Sequence, residues 1–259
     1  MREYIVFVGK EFMEIIRTKR LFVLACVFLL FAFTSPLLAR YMMEFLVALM
    51  PAGEAEMFAS IMPDPRWEDG YVQFYSNISQ IGMIAVLLLF MGVVLDEKRK
   101  GTAPLMLMKG LSHAGFIMAK FTVMGAAAVV ILLISVFIAH LYTYVLFGYA
   151  ADIVSLLFGF LAYCIVLLLM VAVAIFCSTI AKSVAMSAIL GFGFFVLFGI
   201  ISVLPRIGQY SPGALFGSMP VEVTVGTPPD TLLVTLLVTA ALTIALLAAS
   251  VNILKRKEI

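Results

Sequence analysis

Apolar positions along this chain come in six long runs, broken by short segments in which charge, proline and glycine concentrate. The runs are Leu21–Ala39, Phe74–Leu95, Phe121–Phe147, Ile153–Ile180, Val184–Leu204 and Leu232–Ile253. Each is about the 20 residues that a helix needs to cross a ~30 Å hydrocarbon core, and none alternates with the period of a half-buried strand. The pattern predicts an all-α, polytopic membrane protein with six transmembrane helices in one domain over 1–259. The third and fourth runs are long enough to tilt or to project beyond the bilayer.

Composition strengthens this reading and charge orients it. Hydrophobic residues make up 64% of the chain and charged residues only 12%, against roughly a quarter charged in a soluble domain. Lys and Arg favour cytoplasmic loops. Of the 17 basic residues, all but Arg40, Arg66 and Arg206 fall in the amino-terminal segment, the second-to-third connection, the fourth-to-fifth connection or the carboxyl terminus. Both termini are therefore expected in the cytoplasm. Tyr41, Tyr71, Tyr75, Tyr142, Tyr144, Tyr149 and Tyr210 gather with Trp67 near the opposite boundary, as an interfacial aromatic belt would. A net charge of +2 then reflects topology and gives no reason to expect nucleic acid.

Residues 1–20 read as an amphipathic helix on the cytoplasmic surface. Glu3, Lys10, Glu14 and Arg17 recur on one face, and Ile5, Val8, Phe12 and Ile15 on another. Lys10–Glu14 and Glu14–Arg17 stand at mutually supporting offsets. No cleavage site follows, so the first span is expected to remain as an anchor. The outer segment 40–73 is acidic, with Glu44, Glu54, Glu56, Asp64, Glu68 and Asp69. Its apolar stretch Met42–Met50 is too short to cross, and Pro51 and Gly53 break it, which predicts one or two short outer helices. The proline- and glycine-rich outer segment 205–230 is expected at the rim, with a short re-entrant element, because irregular backbone at membrane depth needs cover.

The chemistry is sparse. No G-x-x-x-x-G-K-[ST] loop cradles phosphate, and no His, Asp or Glu cluster has metal-ligand spacing. The spans carry no carboxylate or ammonium near their centres, where ion pathways and proton relays place them. Cys26, Cys164 and Cys177 lie within spans and read as small apolar side chains. Asn77-Ile-Ser79 begins inside a span and reads as a chance glycosylation match. His140, near the outer end of the third span, reads as structural, and Asp152 as the cap of the fourth helix. The amino acids alone leave open a stand-alone secondary transporter or membrane-embedded enzyme as the alternative function, which the missing midplane charges disfavour.

The loop at 96–120 carries the clearest positive signal. A charged run, Asp96–Lys100, leads to Gly101-Thr102, an apolar stretch Ala103–Met108, a break at Gly110, and then the third span. Leu105, Met106 and Met108 on a short helix beside the membrane call for a cover, either the lipid interface or a protein partner.

Glu97-x-x-x-Gly101-Thr102, the short apolar helix, Ser112 and Lys120 resemble the coupling region of type-2 ABC transporter permeases. So does the amino-terminal Lys10-Glu11-Phe12-x-x-Ile15-x-Arg17-x-Lys19-Arg20 helix, together with six spans and the outer segment before the last of them. Gly110 stands where that family often has proline, and Ala103-Pro104 replaces its usual leucine-acidic pair. The resemblance implies a non-enzymatic permease subunit of an ATP-driven exporter in a prokaryotic cell membrane. A separate ABC ATPase, in two copies and carrying its own ATP and magnesium, would dock on Glu97, Gly101, Thr102, Leu105, Met106, Met108 and Lys109. The interfacial helix, with Lys10, Glu11, Glu14 and Arg17, would add to that surface. A second permease chain, identical or homologous, would complete the pathway. In that family the second and fifth spans line the route, which here nominates Met83, Leu87, Phe90, Phe194 and Phe198. Apolar, charge-poor spans fit a hydrophobic or amphipathic cargo such as a peptide, an antibiotic or a lipid-like molecule.

Overall fold

A computed structural model describes residues 2–49, 51 and 64–256. Gly53, Glu54, Glu56 and Lys257 lie outside the described residues. The described residues are predominantly helical, with no strand among them. Helix α1 (Arg2–Arg17) leads into α2 (Arg20–Leu49), the first span. The second span is compound: α3 (Trp67–Asn77) passes through a π-helical turn (Ile78–Gly82) into α4 (Met83–Phe90). Two short helices follow, α5 (Leu95–Arg99) and α6 (Thr102–Met108). Next come the spans α7 (His113–Phe147), α8 (Ile153–Ile180) and α9 (Val184–Ser202). Two 3₁₀ turns (Gly208–Tyr210 and Pro212–Phe216) and the short α10 (Met219–Val225) precede the last span, α11 (Leu232–Arg256).

Six of these helical stretches are long and apolar enough to cross a membrane. The third, α7, has 35 residues, about 52 Å at 1.5 Å per residue, well beyond the hydrocarbon thickness. Its boundaries follow ordinary capping chemistry. Ser112 Oγ accepts from the Gly115 N–H at 2.9 Å, and Gly148 ends the helix in the left-handed conformation, φ 71°. Asp152 caps α8 through the Val154 N–H at 3.0 Å, and Ser183 caps α9 through the Met186 N–H at 3.1 Å.

The fourth span, α8, is the hub. It packs against α4, α7, α9, α10 and α11. Its residues Val166–Leu167 and Leu169–Ile175 are almost wholly removed from solvent, which is why this run is apolar on every side rather than on one face. The outer spans α2, α9 and α11 each leave one broad apolar face uncovered, including Phe22, Leu30 and Phe33 on α2 and Ile189, Phe192 and Ile200 on α9. Such faces belong against lipid or another membrane helix.

Two expectations for the outer segments change. Residues 42–49 do not form a separate helix: α2 runs unbroken past Pro36 to Leu49. Pro36 is buried, and its ring removes one intrahelical hydrogen bond without ending the helix, as membrane helices tolerate. Residues 67–73 likewise form the first turns of the second span.

The segment 205–230 is built into the bundle. Thr224 Oγ1 lies 3.3 Å from the Tyr75 hydroxyl and donates to the Pro220 carbonyl at 2.7 Å. Gly159 admits this contact, because a Cβ there would fall 1.9 Å from Thr224 Oγ1. Gly159 stands six residues, about 9 Å, inside the start of α8, so α10 packs within the bundle's depth.

Polar side chains at this end are paired across helices. The Tyr71 hydroxyl meets His140 Nδ1 at 2.7 Å and accepts from the Ala151 N–H at 3.4 Å. Asn77 donates to Ser35 Oγ at 3.0 Å, and Ser79 Oγ lies 3.1 Å from the Tyr163 hydroxyl. His140 therefore has a structural partner, and Asn77 points into the bundle. Cys164 and Cys177 are buried free thiols, while Cys26 is exposed.

Candidate coupling site

At the end of the bundle where α1 meets the α4–α7 connection, five charged side chains from three segments converge. Lys120 extends from α7 with its side chain 1% exposed. Its ammonium donates to both oxygens of Glu11 on α1, at 2.9 and 3.0 Å, and lies 3.3 Å from Glu97 Oε1 on α5. Lys10 bridges the same acids, pairing with Glu97, with Glu11 at 3.0 Å and with Glu14 at 2.8 Å. The Phe7 ring stacks on Phe116 with centroids 5.3 Å apart, and the Lys120 ammonium lies 5.0 Å from the Phe116 ring centre. This aromatic pair shuts water out from one side and attracts the cation from the other.

The charges here shape one another. Burial alone would lower the Lys10 pKa, but its hydrogen bonds to Glu14 and Glu97 and the charge of Glu11 outweigh it and hold it above the usual lysine value. Burial raises the Glu11 carboxyl against the pull of Lys120. Burial pushes Glu14 the same way, yet its hydrogen bond from Lys10 and that cation's charge win, so its pKa falls below the ordinary carboxylate value. Oxygens of Glu11, Glu14 and Glu97 lie within 4.8 Å of one another, a set that could ligate a hard cation. Two ammoniums already stand among them, so the arrangement is an ion-pair network of three carboxylates and two ammoniums.

The connection is also fastened to α8. Ser178 Oγ accepts from the N–H groups of Val94 and Leu95 at 3.0 and 3.1 Å. Lys98 donates to the Thr179 carbonyl at 2.8 Å, and Arg99 to the Lys182 carbonyl at 2.9 Å. Gly101 then turns the chain at φ 69°, where a side chain would be strained. Thr102 closes the corner by donating to the Glu97 carbonyl at 3.2 Å.

α6 is thus held on a rigid base while its own outer surface stays open. Leu105 is 53% and Met108 76% exposed. Lys109 beside them is exposed, and Met106 is half-buried. A groove of about 330 Å³ between α6 and α1 is lined by Glu3, Val6, Phe7, Lys10, Met106, Lys109 and Leu111.

Residues 5–209 match the family described as ABC-2 family transporter protein. The chain belongs to the ABC-2 transporter family. No curated protein matches it. The match covers the first five spans and the whole α4–α7 connection, so this ABC-2 protein is a multi-pass membrane component of the transport machinery, and its family implies partnership with an ABC ATPase.

The structure sorts the residues nominated from this ABC-2 protein's sequence. Leu105, Met106, Met108 and Lys109 lie on or beside α6 with their side chains open or partly open. Gly101 and Thr102 shape its entry. Glu97 is elsewhere: at 3% exposure it faces the network and offers no charge to an approaching protein. Lys10, Glu11 and Glu14 join Glu97 there. Arg17 remains exposed, and Glu14 pairs with Lys10. Met83, Leu87, Phe90 and Phe198 are core residues, and Phe194 is half-buried between Phe176 and Phe198 at centroid distances of 6.0 and 6.2 Å. Within this one chain they fill space rather than line a route.

Lys120, Ser178, Phe7 and Phe116 carry the site, yet none was singled out from sequence beyond the presence of Lys120 in the motif. One signal was available. A lysine between Ala119 and Phe121, at the head of an apolar run, needs a carboxylate partner.

Proposed function

We propose that the chain is the membrane-spanning permease subunit of an ATP-driven exporter in a prokaryotic cell membrane, with both termini and α6 on the cytoplasmic side. The observation that carries this reading is α6: a short helix presenting Leu105 and Met108 to its surroundings from a base locked to α1, α7 and α8. Exposed apolar side chains on a rigid mount suit a protein socket, and shape complementarity there would transmit a displacement rather than absorb it. The partner is a separate ABC ATPase in two copies, which brings ATP and magnesium. Its closure moves α6, and the ion-pair network passes that motion to α1 and α7.

Two permease chains, identical or homologous, form the pathway, because the hub span α8 of one bundle is packed on all sides along Val166–Leu167 and Leu169–Ile175 and offers no face to a cargo there. The cargo is hydrophobic or amphipathic, in keeping with the apolar, charge-poor central stretches of the spans.

The test is replacement of Met108 and Leu105 by Asp in the native membrane, followed by mild-detergent purification. The expected result is loss of the co-purifying ATPase with unchanged insertion and thermal stability. ATPase recovery equal to wild type removes α6 from the docking surface. Absence of any P-loop subunit from the wild-type preparation, even after cross-linking, removes the ATP-driven reading altogether.

A further inference from the structure

α1 buries Phe7 and Ile15 against the bundle but carries apolar residues on its outer side as well. Its charged residues Lys10, Glu11 and Glu14 turn toward the bundle, while Ile5, Val6, Phe12, Met13 and Ile16 stand exposed on the other side. Between this helix and the spans α2 and α7 lies a crevice of about 780 Å³, the largest of the apolar recesses described, with walls that are almost entirely hydrocarbon. Gly9, Ala25, Ala126 and Ala127 form its small-residue floor, and Ile5, Phe12, Val130 and Ile134 flank it with exposed side chains. A dry slot open to the side, at the join between an interfacial helix and two spans, is shaped for a flexible hydrocarbon chain.

The corner above the slot supplies charge. Arg17 ends α1 and Lys19 turns the chain into α2 at φ 57°, two residues before Leu21 enters the crevice wall. Both cations are exposed, and no ion pair to either is formed among the described residues. Glu14 is already engaged by Lys10, and Asp96 by Arg20 at 3.5 Å. The geometry points to a binding site for an anionic phospholipid: one acyl chain occupies the α1–α2–α7 crevice, and the phosphate rests at the Arg17–Lys19 corner. Cations on a membrane surface favour anionic headgroups, and chain burial in the slot adds the apolar contribution that a bare headgroup lacks. This inference needs only that the chain lies in a membrane, so it stands apart from the reading of α6 as a docking helix.

Gly9 offers a clean test, because a Cβ there meets no atom within 4 Å. Gly9→Leu fills the slot without disturbing its walls. The full-length protein is reconstituted in a mixture of phosphatidylcholine and phosphatidylglycerol, re-extracted in mild detergent, and examined by native mass spectrometry. Wild type is expected to retain phosphatidylglycerol in preference to phosphatidylcholine. Gly9→Leu should lower that retention by about tenfold, the loss expected when a side chain displaces roughly two chain methylenes. Arg17→Gln with Lys19→Gln should abolish the preference for phosphatidylglycerol while leaving some lipid bound. Equal retention in wild type and Gly9→Leu overturns the site, as does retention without headgroup preference in wild type. Loss of a protein dimer in Gly9→Leu with lipid unchanged also overturns it, by assigning the crevice to a second copy of the chain.

Discussion

Replacing Lys120 by Met should release α1 from the bundle. The ammonium is 1% exposed, sits 2.9 and 3.0 Å from the Glu11 oxygens, and lies 3.3 Å from Glu97. Methionine matches its stem in length but leaves two buried carboxylates with Lys10 as their sole cation. Removing one partner from a buried pair costs about 3–5 kcal/mol, and each ~1.4 kcal/mol is a factor of ten. The docked state of α1 should therefore be disfavoured by roughly two to three and a half orders of magnitude. Hydrogen–deuterium exchange of residues 3–17 reads this directly, as lost amide protection confined to α1. Adding Glu11→Leu to Lys120→Met should restore much of the protection, since apolar replacement of a buried pair is often nearly neutral. Unchanged α1 protection in Lys120→Met would show that Phe7–Phe116 stacking holds the helix by itself, and the electrostatic account would be wrong.

Further expectations follow from other contacts. Ser178→Ala leaves the Val94 and Leu95 N–H groups without their shared acceptor, at about 1–3 kcal/mol for a buried orphan donor. The midpoint of thermal unfolding in detergent should fall, while ATPase recruitment is lost only where the α5–α6 base has loosened. Glu97→Gln should keep the fold but loosen the network, seen as faster exchange in α1 than in α9. Lys10, whose pKa lies above the usual lysine value, keeps its charge-dependent contribution below pH 10.5 and loses it only as pH rises through its higher folded value. At pH 9 its neutral, reactive fraction is therefore depressed. Acylation at pH 9, followed by peptide mapping, should modify Lys10 later than the exposed Lys100 and Lys109, and Glu14→Gln should narrow the gap. His140→Phe removes the partner of the Tyr71 hydroxyl, which retains the Ala151 N–H. A stability loss of about 1 kcal/mol is expected, with transport retained, and an inactive but well-folded variant would contradict the structural role.

The spans were readable because membrane insertion imposes length and apolarity on each segment separately. Ile153–Ile180 needed only local signals, its apolar run and the cap Asp152. The α2 extension was not readable in that way, since Pro36 and the charges Arg40 and Glu44 look like a boundary when neighbours are ignored. The short α6 was legible from Gly101, Gly110 and the apolar run between them. The role of Glu97 was not. Its partners lie 87 and 23 positions away at Lys10 and Lys120, and no periodicity along the chain reports a pairing of that kind. The polar stripe on α1 was visible as a stripe, but its direction depends on what the rest of the bundle offers. Lys120 offers a buried cation, so Lys10 and Glu14 turn inward while Ile5 and Phe12 face out, with Ile15 buried and Arg17 exposed against the stripe pattern. The pathway residues are not decided by spacing for a related reason. Helical spacing selects a face, whereas only packing decides whether that face meets a neighbour or an opening.

The bond between Glu11 and Lys120 joins residues 109 positions apart, and that separation sets an order of events during synthesis. At ~5–20 residues per second, roughly 5–20 s pass between emergence of the acid and of its counter-ion. Throughout that interval α1 has carboxylates with no buried cation to receive them and an apolar flank with no crevice to border. It must wait at the membrane surface while the first two spans settle. Arrival of the third span then closes the assembly from its amino-terminal end. A nascent chain that stalls before the third span would leave α1 accessible, an exposed feature by which quality control could distinguish an unfinished protein from a completed one.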